Sequence, residues 1–140
     1  MVPVGGGSGV PHPVRFDFEG KLALVGFDLD RRALYPGETL HLTLYWQCLS
    51  SMERDYTVFA HLLRPPGEAW AQEDKQPGAT STWQPGQIIK EGYHLVLPNS
   101  TPPGVYEIEV GVYLAETGRR LRLGPNENRV LLAKVGVLER

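Results

Sequence analysis

The sequence predicts an all-β fold: a two-sheet antiparallel β-sandwich of the Ig-like or jelly-roll type, with eight or nine strands. Three observations carry this. Apolar and polar residues alternate with period two along several segments, the pattern of strands with one buried face. Proline and glycine, 12 and 16 of 140 residues, punctuate those segments as turn signals. No stretch shows the repeat of an amphipathic helix. Each apolar strand face needs a facing layer, and two packed sheets supply it.

Residues 1–13, with GGGSG at Gly5 to Gly9, read as a flexible linker, leaving 14–140 as one β-sandwich domain. Val14, Phe16 and Phe18 then alternate with Arg15, Asp17 and Glu19 until Gly20 ends the first strand. Lys21 to Asp28 gives a second, with Leu22, Leu24 and Gly26 assigned to one face and Ala23, Val25 and Phe27 to the other. Pro36-Gly37 presets a turn. The clearest alternation follows it: Leu40, Leu42, Leu44 and Trp46 against His41, Thr43, Tyr45 and Gln47.

Tyr56 to Leu63 reads as a central strand because it is β-branched and aromatic at its start and closed by Arg64-Pro65-Pro66-Gly67. Trp70 to Asp74 is a shorter candidate, followed by a long connection through Pro77-Gly78 and Pro85-Gly86 to a strand over Ile88 to Leu97. Pro102-Pro103-Gly104 opens the longest strand, Val105 to Ala115, with Tyr106, Ile108, Val110, Val112 and Leu114 on its core face. Thr117-Gly118 turns into Arg120 to Leu123, and Val130 to Val137 is the last strand.

Charge and motif content narrow the function. Fourteen Lys+Arg against sixteen Asp+Glu leave no basic excess to release counterions from a phosphate backbone, so nucleic acid is not an expected partner. Arg119, Arg120 and Arg122 read as a solvated strand face beside a turn. Cys48, the single cysteine, forms no internal disulfide and reads as a buried structural thiol. No run reaches the ~18 to 20 apolar residues of a membrane span, and residues 1–13 lack a signal-peptide pattern, so the chain itself reads as soluble. The absence of H-E-x-x-H, G-x-S-x-G, Walker and C-x-x-C motifs argues against an enzyme and implies no cofactor.

The remaining candidates are few. His41, His61 and His94 could meet only if their strands are neighbours. Asp28 and Asp30, in a carboxylate-rich start with Asp17 and Glu19, are candidate oxygen ligands for a cation between loops. Trp46 falls in the apolar register and belongs to the core. Trp70 and Trp83, at a strand end and in a Pro/Gly-rich loop, are placed where flat rings stack on sugars, and with Tyr45 they form the candidate ligand-binding set.

From about Leu22 to Leu121 the chain resembles the β-sandwich domains appended to bacterial membrane proteins of the dolichyl-phosphate-mannose-protein mannosyltransferase-like, glycosyltransferase-39-type class. The resemblance rests on LVGFDLD at Leu24 to Asp30, PGETLHLTLYWQ at Pro36 to Gln47, DYTVFAHLL at Asp55 to Leu63, TSTWQPGQII at Thr80 to Ile89 and PPGVYEIEVGVYLAETGRRL at Pro102 to Leu121. It implies an extracytoplasmic accessory module without catalytic residues, joined through its Gly-rich start to a membrane-spanning portion. The expected function is therefore a non-catalytic binding module with a glycan or protein partner. The alternatives are a structural protein–protein interaction domain and a small metal-dependent hydrolase.

Overall fold

The computed structural model describes residues 12–139, and the expected linker lies outside the described residues except for His12 and Pro13. The strands are β1 (Pro13–Phe18), β2 (Leu22–Leu29), β3 (Ala33–Leu34), β4 (Thr39–Cys48), β5 (Thr57–Arg64), β6 (Glu68–Lys75), β7 (Ile88–Val96), β8 (Gly104–Leu114), β9 (Arg119–Arg120) and β10 (Val130–Val137). A single 3-10 turn, Thr80–Thr82, interrupts the β6–β7 connection. Among the described residues there is no α-helix, and no helix is long and apolar enough to cross a membrane.

The strands form two sheets, ordered β1-β2-β4-β7 and β3-β10-β8-β5-β6, with β9 paired to β8. This is the predicted sandwich with ten strands rather than eight or nine. The addition is β3, whose two residues are too few to display a period. It pairs parallel with β10, the one departure from antiparallel pairing among these strands.

The core lies between the sheets. Leu40, Leu42, Leu44 and Trp46 of β4 are fully buried, and so are Tyr106, Ile108, Val110 and Val112 of β8. Both strands therefore follow the side-chain alternation their sequences predict. β2 does not. Leu24 pairs with Trp46 and Gly26 with Tyr45, so Val25 is an extra residue in a β-bulge. The bulge reverses the parity beyond it, turning Phe27 into the core opposite Leu44 instead of away from Leu22 and Leu24. β10 repeats the device at Leu132, which brings Val130 and Val135 to the same buried side.

The two sheet edges that meet, β6 and β7, are closed by side chains. Glu73 Oε1 accepts the His94 backbone N–H at 2.8 Å, and Lys75 Nζ donates to the Gly92 carbonyl. Charged side chains thus occupy backbone groups of an edge strand that would otherwise template pairing with another chain. At the start of β8, the Tyr106 hydroxyl donates to the Pro102 carbonyl at 2.7 Å and ties the preceding loop to the core.

Candidate functional site on the outer face of the six-stranded sheet

The side-chain alternation that buries Val58, Ala60 and Leu62 of β5 sends Phe59 and His61 to the outer face of the sheet. On β8 the same rule sends Glu109, Gly111 and Tyr113 outward. The register sets Phe59 between Gly111 and Asp74, and His61 between Glu109 and Gln72. Arg120 of β9 lies opposite Tyr113.

Phe59 is only 1% exposed although it faces outward. Its ring lies over Gly111, where an added Cβ would come within 2.3 Å of two ring carbons and 3.2 Å of the Asn128 carbonyl oxygen. From above, the Arg120 guanidinium carbon stands 4.4 Å from the ring centroid. The phenyl is thus a covered pedestal for a cation, held by a quadrupole attraction that strengthens as water is removed.

Around the pedestal runs a chain of polar contacts. The Tyr113 hydroxyl donates to Asp74 Oδ2 at 3.0 Å, and Asp74 Oδ1 is 3.3 Å from His61 Nε2. His61 Nδ1 is 3.0 Å from Glu109 Oε1, and Arg129 donates to Glu109 Oε2 at 3.0 Å. Glu109 is 6% exposed, a buried charge that is tolerable because both oxygens are partnered. Burial and the bond to Asp74 push the Tyr113 phenol up from its ordinary range.

These groups line a depression of about 240 Å³ bounded by Phe59, His61, Asp74, Tyr113, Gly118 and Arg120. A second, of about 370 Å³, is lined by residues 126–129 and Leu131. Arg129 of the second reaches His61 of the first through Glu109, so the two share one polar network. From β6 to β10 the face crosses three strand spacings, on the order of 14–15 Å.

The residues singled out from the sequence do not converge. Trp83 is 5% exposed and belongs to the core, so its ring packs against protein rather than presenting a face to solvent. Trp70 is the extra residue of a bulge in β6, half-buried against the core, with its indole N–H donated to Glu68 at 2.6 Å. Tyr45 lies on the outer face of the other sheet, 9% exposed, with Lys90 Nζ 6.0 Å from its ring centroid. The three belong to separate parts of the molecule.

Asp28 pairs across to Thr43, while Asp30 accepts from the His41 backbone N–H at 3.0 Å and has its other oxygen 2.9 Å from His41 Nδ1. Burial raises the Asp30 carboxyl, but the His41 bonds and the charge of Arg31 outweigh it and hold the group below its ordinary range. Among the described residues no group of three or more His, Cys, Asp or Glu side chains is arranged to hold a metal ion. His41 and His94 do meet across β4 and β7, ring centroids 4.8 Å apart, whereas His61 belongs to the other sheet.

Phe59, His61, Asp74, Glu109, Tyr113, Arg120 and Arg129 do not stand out as a group in the sequence, where up to 70 positions separate them. The signal was present in the outward positions of β5 and β8, where an aromatic, an imidazole, a carboxylate, a glycine and a phenol replace the usual solvated residues.

No protein-family model matches the chain, and no curated protein matches it. Among solved structures, the C-terminal domain of wzt is similar over 93% of this chain and 80% of that one, at 10% identity and a TM-score of 0.64. A β-glucosidase from Listeria innocua in complex with gluconolactone matches 79% of this chain and 16% of that one, at 19% identity and a TM-score of 0.44. The sporulation control protein Spo0M from Bacillus subtilis matches 86% of this chain and 49% of that one, at 16% identity and a TM-score of 0.44. The likeness to the wzt domain shows a shared fold.

Proposed function

We propose that this chain is a non-catalytic glycan-binding module and that the sugar lies on the outer face of the six-stranded sheet. The carrying observation is the network Tyr113–Asp74–His61–Glu109–Arg129, fixed by its own hydrogen bonds beside a shallow depression. Sugar hydroxyls both donate and accept, and they are recognised by rigid carboxylate, imidazole, phenol and guanidinium groups whose geometry is set before binding. A face about 14–15 Å across accommodates a short stretch of oligosaccharide rather than one small molecule.

Asp74 and Glu109 each meet two protein partners, which fixes the geometry of the face and leaves neither carboxylate as a free base to activate water. The family resemblance adds the context: an extracytoplasmic accessory module attached to a membrane-spanning glycosyltransferase-like portion.

Calorimetric titration with a panel of cell-envelope oligosaccharides tests the reading. At least one should bind, and Asp74→Ala should weaken that binding at least tenfold, equivalent to about 1.4 kcal/mol. The variant should remain folded, with an unchanged circular dichroism spectrum. Heats indistinguishable from dilution across the panel, or equal affinity in the variant, would overturn the assignment.

A further inference from the structure

Resting on that reading, we infer that the glycan is acidic and that Arg120 receives its carboxylate. Charge accounting within the site leads there. Asp74 is engaged by the Tyr113 hydroxyl and the His61 ring, and Glu109 by His61 and Arg129. The anionic groups are thus spoken for inside the protein, and Arg129 is neutralised by Glu109.

Arg120 differs. It lines the depression, yet no carboxylate of the described residues pairs with it, and its contact is the Phe59 ring. The neighbouring arginines behave otherwise: Arg119 pairs with Glu19 at 3.0 Å, and Arg122 donates to the Pro125 carbonyl. A guanidinium laid on an aromatic ring has one face desolvated and its conformational freedom reduced, while its edge N–H groups stay available. That is the geometry in which arginine takes a carboxylate through two parallel hydrogen bonds.

Two further features fit. Gly111, with no Cβ, leaves the space that the Phe59 ring occupies, and that ring carries the Arg120 guanidinium 4.4 Å from its centroid. With Asp74 and Glu109 against Arg120 and Arg129, the network carries no net negative charge to repel an anion. A uronic-acid residue therefore matches the site: its ring hydroxyls face the Asp74–His61–Tyr113 side, and its carboxylate meets Arg120.

The test uses the full chain and a panel of oligosaccharides of galacturonate, glucuronate-containing and mannuronate type, each beside its carboxyl-reduced counterpart. The wild type should bind at least one acidic member ten times or more tightly than its reduced partner, in low salt. Arg120→Gln should bring that ratio close to one. Arg120→Lys, which keeps the charge but not the planar fork, should fall between them.

A ratio near one in the wild type, or reduced members preferred, would overturn the acidic assignment and leave the glycan reading standing. A high ratio that survives Arg120→Gln would place the selectivity elsewhere and also overturn it. Silence across the acidic and reduced members alike would overturn the acidic assignment, and the glycan reading falls with it when the cell-envelope panel is silent too. Thermal unfolding of each variant, expected within a few degrees of the wild type, shows that lost binding is not lost folding.

Discussion

A glycine in the middle of the longest strand decides how the outer face is built. Gly111 would, with a methyl group, place a carbon 2.3 Å from the Phe59 ring and 3.2 Å from a backbone oxygen. Gly111→Ala should therefore force the ring off the sheet and destabilise the domain by about 1–3 kcal/mol, the usual cost of overpacking. Chemical denaturation checks this: a lowered midpoint at constant slope is expected, and an unchanged midpoint would show that Phe59 moves freely. The sequence displays Gly111 in a strand, but not what lies above it. Tyr45, Trp70 and Trp83 illustrate the reverse difficulty: an aromatic residue is visible in a sequence, whereas whether its face meets protein or solvent depends on partners distant in the chain.

Strands are the scale at which the sequence is most legible. The core faces of β4 and β8 follow directly from alternation, because each is a run of ten or eleven residues with a consistent apolar side. β2 and β10 are less transparent, since each contains a bulge that changes parity in mid-strand, and one inserted residue leaves no compositional mark. β3 is too short to carry any pattern, and its place is set by pairing with β10. The loop before β8 is braced internally by Thr101, whose backbone N–H and hydroxyl both donate to the Pro98 carbonyl, and is tied to β8 by the Tyr106 hydroxyl, which donates to the Pro102 carbonyl. Tyr106→Phe removes that bond while keeping the ring, and should cost about 1 kcal/mol. A thermal melt reads the loss directly, and a melt identical to the wild type would show that the Tyr106 hydroxyl bond adds nothing to the ring packing and the loop's other hydrogen bonds.

At the scale of the molecule, the candidate site is assembled from β5, β6, β8, β9 and the approach to β10. Its members are up to 70 positions apart in sequence, from Phe59 to Arg129, and strand order is what brings them together. Arg120 and His61 were each visible in the sequence, one within a short basic run and the other as a scattered histidine. Their relation was not, because it depends on β5 lying beside β8 and on β9 folding back against β8. The opposite sheet carries its own outward polar groups, including His41, His94 and Asp30, yet these are tied to one another and to the β6 edge. The two faces are thus chemically distinct, and the outer face of the six-stranded sheet combines a depression with a guanidinium that no carboxylate of the described residues pairs with.

Backbone amide spectra recorded during titration with an acidic oligosaccharide that binds test that distinction most directly. Shifts should concentrate at residues 59–61, 72–74, 109–113 and 118–120, with residues 41–45 of β4 unaffected. Shifts gathered on β4 and β7 instead, or spread evenly over both sheets, would contradict it.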